Sequence, residues 1–110
     1  MNPYEQYVFE VTYDVLDRCR EDHETWLSKT TEQWIMTESL DGFRSEQSLV
    51  GGSPEVRLRL EFATLANWAR FVESDQYQQN LDRLEALTDR LETHLWEPAA
   101  ITLDPTPSST

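Results

Sequence analysis

The strongest constraint on this chain is where its apolar residues change period. Tyr7-Val8-Phe9-Glu10-Val11-Thr12-Tyr13 alternates, with Tyr7, Phe9, Val11 and Tyr13 on one face and Val8, Glu10 and Thr12 on the other. Val56-Arg57-Leu58-Arg59-Leu60-Glu61-Phe62 alternates even more cleanly. Period two with β-branched and aromatic residues predicts two half-buried strands. From about Asp17 to Leu40 the pattern is helical, with Trp26, Leu27, Trp34 and Ile35 as the apolar stripe and Glu24, Lys29 and Glu32 off it. Acidic residues at its start suit a helix N-terminus, where Asp17 and Asp22 are both available as caps. Asp41-Gly42 is expected to end it, with Gly42 in a left-handed C-terminal cap.

Phe43 to Val50 is a weaker strand, and Gly51-Gly52-Ser53-Pro54 is a turn joining it to Val56–Phe62 as a hairpin. Thr64 can cap a short helix containing Leu65, Trp68, Phe71 and Val72. Ser74 can cap a longer one whose stripe runs Tyr77, Leu81, Leu84, Leu87, Thr88 and Leu91, to about Glu92. His94 to Leu103 reads as a last strand, at an edge because of Pro98. Residues 104–110 form a polar tail expected to be disordered. The order is β-α-β-β-α-β, the ferredoxin-like split arrangement. The fold class is α+β, with an antiparallel four-stranded sheet, both helices on one face, and a single domain over 1–103.

Composition narrows the function. The 110 residues carry 9 Lys+Arg against 21 Asp+Glu, a formal net charge of −12. That balance argues against nucleic acid, whose phosphates need neutralising, and against an anionic membrane surface. No apolar run is long enough to span a bilayer, and the first residues show no secretory signal. A lone cysteine, Cys19, gives no internal disulfide and fits a reducing compartment, so the expected location is cytoplasmic. Of the basic residues only Lys29 is Lys, which suits either a high-salt habitat or a GC-rich genome.

Helices on one face leave the other uncovered. That face should carry Glu10 on the first strand and Arg57, Arg59 and Glu61 on the third, with Glu10 reaching Arg57 or Arg59 across the ladder. It is either a solvated face or the seat of a homodimer in which these charges neutralise one another across a two-fold axis.

The aromatic set is the main candidate for ligand binding. Tyr7, Phe9, Tyr13, Trp26, Trp34, Phe62 and Trp68 can all point between sheet and helices, either lining a cleft or filling a core. His94 is the candidate acid or base, placed where the long helix passes into the last strand. His23 is read as lying on the polar side of the first helix, and Cys19 as an inert thiol. No metal-ligand spacing, phosphate loop or nucleophile elbow is present, so no metal and no cofactor are expected.

Leu40-Asp41-Gly42-Phe43-Arg44-Ser45 resembles the helix, Gly-Phe, strand junction of antibiotic biosynthesis monooxygenase-like domains. Leu60-Glu61-Phe62-Ala63-Thr64, then Trp68, Phe71 and Ser74-Asp75-Gln76-Tyr77, resembles their strand end, helix and Ser-x-x-aromatic segment. The resemblance runs from about Tyr7 to Leu103. It implies a dimeric α+β barrel in which two sheets pack face to face. It also implies a small aromatic or apolar ligand, with cofactor-free oxygenation or isomerisation as the chemistry. The haem-degrading branch is not implied. Its His position falls near Leu81, its Trp position at Phe62, and no Asn stands between Glu10 and Thr12. The other expectation is a non-catalytic ligand-binding or oligomerisation domain with a filled aromatic core.

Overall fold

The structure is a computed structural model, and it describes residues 6–98. The expected tail, the end of the expected last strand and the first five residues lie outside the described residues. The elements are β1 (Tyr7–Val15), a single 3-10 turn (Asp17–Cys19), α1 (Arg20–Ile35), β2 (Gly42–Gln47), β3 (Val56–Phe62), α2 (Leu65–Val72), α3 (Asp75–Leu87) and β4 (Thr88–Trp96). The four strands form one antiparallel sheet in the order β2-β3-β1-β4. This is the expected α+β, ferredoxin-like arrangement, with the second helix in two parts.

The period-two segments set the sheet. Phe9, Val11 and Tyr13 stand opposite Leu60, Leu58 and Val56, and all six are buried on the helix side. Glu10 stands opposite Arg59 and Thr12 opposite Arg57 on the uncovered side. Slipping the pairing by one residue would exchange these two sets, so the register is fixed by burial.

The two short caps form as expected. Thr64 Oγ1 accepts from the Asn67 amide at 3.0 Å, and Ser74 Oγ accepts from the Tyr77 amide at 3.2 Å. Each satisfies an amide that the helix start leaves without a partner.

Other boundaries differ. Neither Asp17 nor Asp22 caps α1, whose N-cap position is Cys19 with no side-chain bond. The helix stops at Ile35, where the Thr37 hydroxyl donates to the Gln33 carbonyl at 2.9 Å and the Thr37 amide to that of Trp34 at 3.1 Å. Gly42 is therefore not a helix cap. It opens β2, opposite Glu61, and the left-handed glycines are Gly51 and Gly52 in the hairpin. β2 ends at Gln47, and Leu49 and Val50 sit in the loop, 97% and 96% exposed.

The largest difference is at the end of α3. The helix stops at Leu87, and the segment expected to continue it to Glu92 is the first half of β4. Extending it would have stacked Asp82, Glu85, Asp89 and Glu92 at like-charge spacings. Extended, it closes the free edge of β1, with Val15 opposite Thr88 and Phe9 opposite Leu95. A register shift between Thr12 and Asp14 absorbs the mismatch, and Arg90 beside it has a φ of 57°. β4 is an edge strand, as Pro98 suggested, but it ends at Trp96. Among the described residues no helix is long and apolar enough to cross a membrane.

Candidate functional site

Of the seven aromatics expected in the interior, Phe9, Tyr13, Trp26, Trp34 and Phe62 are buried, while Tyr7 and Trp68 pack half-buried against them. Ring contacts link most of them. Trp26 meets Trp34 at 6.2 Å, Trp34 meets Phe71 at 5.6 Å, Phe71 meets Tyr77 at 5.2 Å, and Phe9 meets Trp68 at 6.0 Å. These are edge-on or tilted geometries, the favoured way for aromatic quadrupoles to pack. Five surface recesses flank this layer, and none is lined by more than one of the seven. Among the described residues the rings pack against one another.

His94 is not at a helix–strand junction. It lies within β4, exposed, opposite Glu10 on the uncovered sheet face. Its ring stacks at 23° on Trp96, whose indole N–H donates to Glu10 Oε1 at 2.9 Å. The sheet therefore separates His94 from the aromatic interior. On the same face Arg57 donates to Glu46 at 2.8 Å and lies 3.9 Å from Glu10, the cross-strand contact expected from the register. Arg59 Nε is buried and has no partner among the described residues.

His23 is where the sequence reading goes wrong. It is not on the polar side of α1 but 7% exposed, with Nε2 2.6 Å from the Tyr13 hydroxyl and its ring stacked on Trp26. The inward stripe of α1 is His23, Trp26, Thr30 and Trp34, at spacings of three, four and four. That period was available in the sequence. A His and a Thr within the stripe hide that period from a purely apolar pattern.

Burial is the main force on this pair. It lowers the His23 pKa; Glu55 and Glu24 raise it and Arg20 lowers it further. Burial, followed by the nearby Glu55 charge, pushes the Tyr13 hydroxyl well above its ordinary range. A neutral imidazole can accept the Tyr13 O–H at Nε2, with Nδ1 carrying the remaining proton.

The mouth of this pair is held by charges. Arg20 donates to Glu55 at 2.6 Å, and that bond is the main cause of the lowered Glu55 pKa. Asp14 accepts from the Ser53 hydroxyl at 2.7 Å and the Glu55 amide at 2.8 Å, tying the hairpin to β1. A recess of about 100 Å³ lined by His23, Arg20, Glu24 and Glu55 opens between hairpin and helix. Its size admits water or a very small group. No group of three or more His, Cys, Asp or Glu among the described residues is placed to hold a metal. Cys19 is buried.

No protein-family model matches the chain, and no curated protein matches it in sequence. Solved structures match in shape. A dabb family protein with a ferredoxin-like fold from Mesorhizobium loti superposes with a TM-score of 0.74 at 11% identity, covering 86% of this chain and 98% of the other. SnoaB, a cofactor-independent oxygenase from Streptomyces nogalater, gives 0.73 at 13% identity over 90% and 97%. The hydroxynitrile lyase from Passiflora edulis gives 0.77 at 8% over 92% and 100%. The chain thus has the ferredoxin-like α+β fold of antibiotic biosynthesis monooxygenase-like proteins. At these identities the likeness is one of fold.

Proposed function

We propose that this chain works as a homodimer, two copies joined through their uncovered sheet faces into an α+β barrel. The observation that carries this is the composition of that face. Glu10, Arg57, Arg59 and Glu61 set two carboxylates beside two guanidinium groups across two central strands, and Trp96 stands beside them 56% exposed. A two-fold axis would set carboxylates of one copy against guanidinium groups of the other. It would also remove the exposed indole from water. Light scattering coupled to size exclusion tests it. A particle of twice the 12.9 kDa chain mass at micromolar concentration is expected. The Arg57→Glu/Arg59→Glu variant should run as a monomer, and a monomeric parent protein removes the proposal.

A second reading assigns the dimer a small aromatic or apolar molecule, handled by cofactor-free oxygenation or a related proton transfer. It is favoured by the fold shared with a cofactor-independent oxygenase. A thermal-shift panel of phenols and quinols tests it. A ligand at a hundred times its Kd should stabilise the fold by about 2.7 kcal/mol. A panel with no saturable shift would count against it.

A further inference from the structure

The groove between α1 and α3 differs in charge from the other recesses. Lys29 of α1 and Arg83 of α3 line it against one carboxylate, Asp22. The four others each hold one more carboxylate than cations. In a chain of net charge −12 this is the one of the five that favours an anion. Neither Lys29 nor Arg83 forms an ion pair with a described residue, whereas Arg20, Arg57 and Arg90 all do. Asp22 stands seven residues before Lys29, about 10 Å along the helix, so it does not neutralise that end.

The rest of the lining is ordered. Trp26, 7% exposed, donates its indole N–H to the Asn80 carbonyl at 3.1 Å, which fixes it in the floor of the groove. Asn80 Nδ2 donates to Gln33 Oε1 at 2.9 Å. That bond occupies the Gln33 acceptor and leaves its NH2 as a donor. Thr30 is 1% exposed. The volume, about 280 Å³, is just below the usual range of ligand sites, which suits a small ligand.

We propose that this groove binds a small planar anion of the aromatic carboxylate class. The carboxylate lies between Lys29 and Arg83 and the ring lies against Trp26. Two cations supply charge-assisted bonds, the fork of Arg83 matches a carboxylate, and the exposed rim of the indole supplies a small apolar contact. The site lies in the helix layer, away from the uncovered sheet face, so it does not depend on dimerisation.

Benzoate is the probe, followed by calorimetry and tryptophan fluorescence on the full chain. Saturable one-to-one binding per protomer is expected. Lys29→Gln/Arg83→Gln should weaken it about tenfold or more. Benzamide, alike in shape but neutral, should be weaker by a similar factor. Both substituted side chains are exposed, so the variant should melt with the parent, which separates lost binding from lost folding. Absence of saturation, unchanged affinity in the double variant, or benzamide binding as well as benzoate would each overturn the proposal.

Discussion

Phe71→Ala is expected to cost about 3–5 kcal/mol and to lower the melting temperature by roughly 15–30 °C. Phe71 is 3% exposed at the centre of the ring network, 5.3 Å from Phe62, 5.6 Å from Trp34 and 5.2 Å from Tyr77. Truncation removes all three contacts, each worth about 0.5–1.5 kcal/mol beyond area burial, and leaves a void among rings too large to close on it. The Trp34 indole N–H is buried without a hydrogen-bond acceptor among the described residues. It lies among rings packed edge-on, Phe71 at 66° and Phe43 at 80°. Domains of this size are stable by about 5–15 kcal/mol in total, so the variant should sit near the edge of folding at 37 °C. Urea and thermal melts followed by circular dichroism measure it. A loss below about 1 kcal/mol would mean that the interior can collapse around the gap and that the rings are not mutually supporting.

The fold was legible wherever local pattern and tertiary need agreed. β1 and β3 show alternation because each has one wet face and one dry face. Thr64 and Ser74 show as caps because a hydroxyl before an apolar stripe has a defined role. The α3–β4 boundary was not legible, because Leu84, Leu87 and Leu91 continue a helical spacing through a change of structure. What decides it is the free edge of β1, a partner 84 residues away in sequence at Glu10 and His94, which no local window contains. That error misplaced His94 and, with it, the expected acid or base. His23 was misplaced for a different reason. A buried polar residue is recognisable only with its partner, and Tyr13 lies on another element. The charged face needed only the strand register, so Glu10, Arg57 and Arg59 fell where expected.

Stability is expected to fall as pH drops below about 6.5, before most carboxylates titrate, and His23 is the cause. Burial lowers its pKa in the folded protein, so the fold prefers the neutral imidazole. Its contribution is fully present above the unfolded pKa and is lost as pH falls through the lower folded one. The lowered carboxylates act in a separate window. Asp14, held chiefly by the Ser53 hydroxyl, and Glu55, held chiefly by Arg20, contribute above their ordinary range and lose that contribution as pH falls below it. Protonating His23 also removes the Nε2 lone pair that accepts the Tyr13 hydroxyl, in a site where neither group reaches water freely. Glu55 and Glu24 face the new cation and soften the penalty, while Arg20 opposes it. His23→Gln tests this, because an amide oxygen can take the Tyr13 bond but does not titrate. The parent should lose stability between pH 7 and pH 5 in urea melts, and the variant should be flat there. Tyr13→Phe leaves the buried Nε2 without a donor and should cost about 1–3 kcal/mol at pH 7. It should also reduce the acid slope, since the acceptor role is already lost. A parent protein as stable at pH 5 as at pH 7, or an equal slope in His23→Gln, would show that the imidazole is not held neutral by this site.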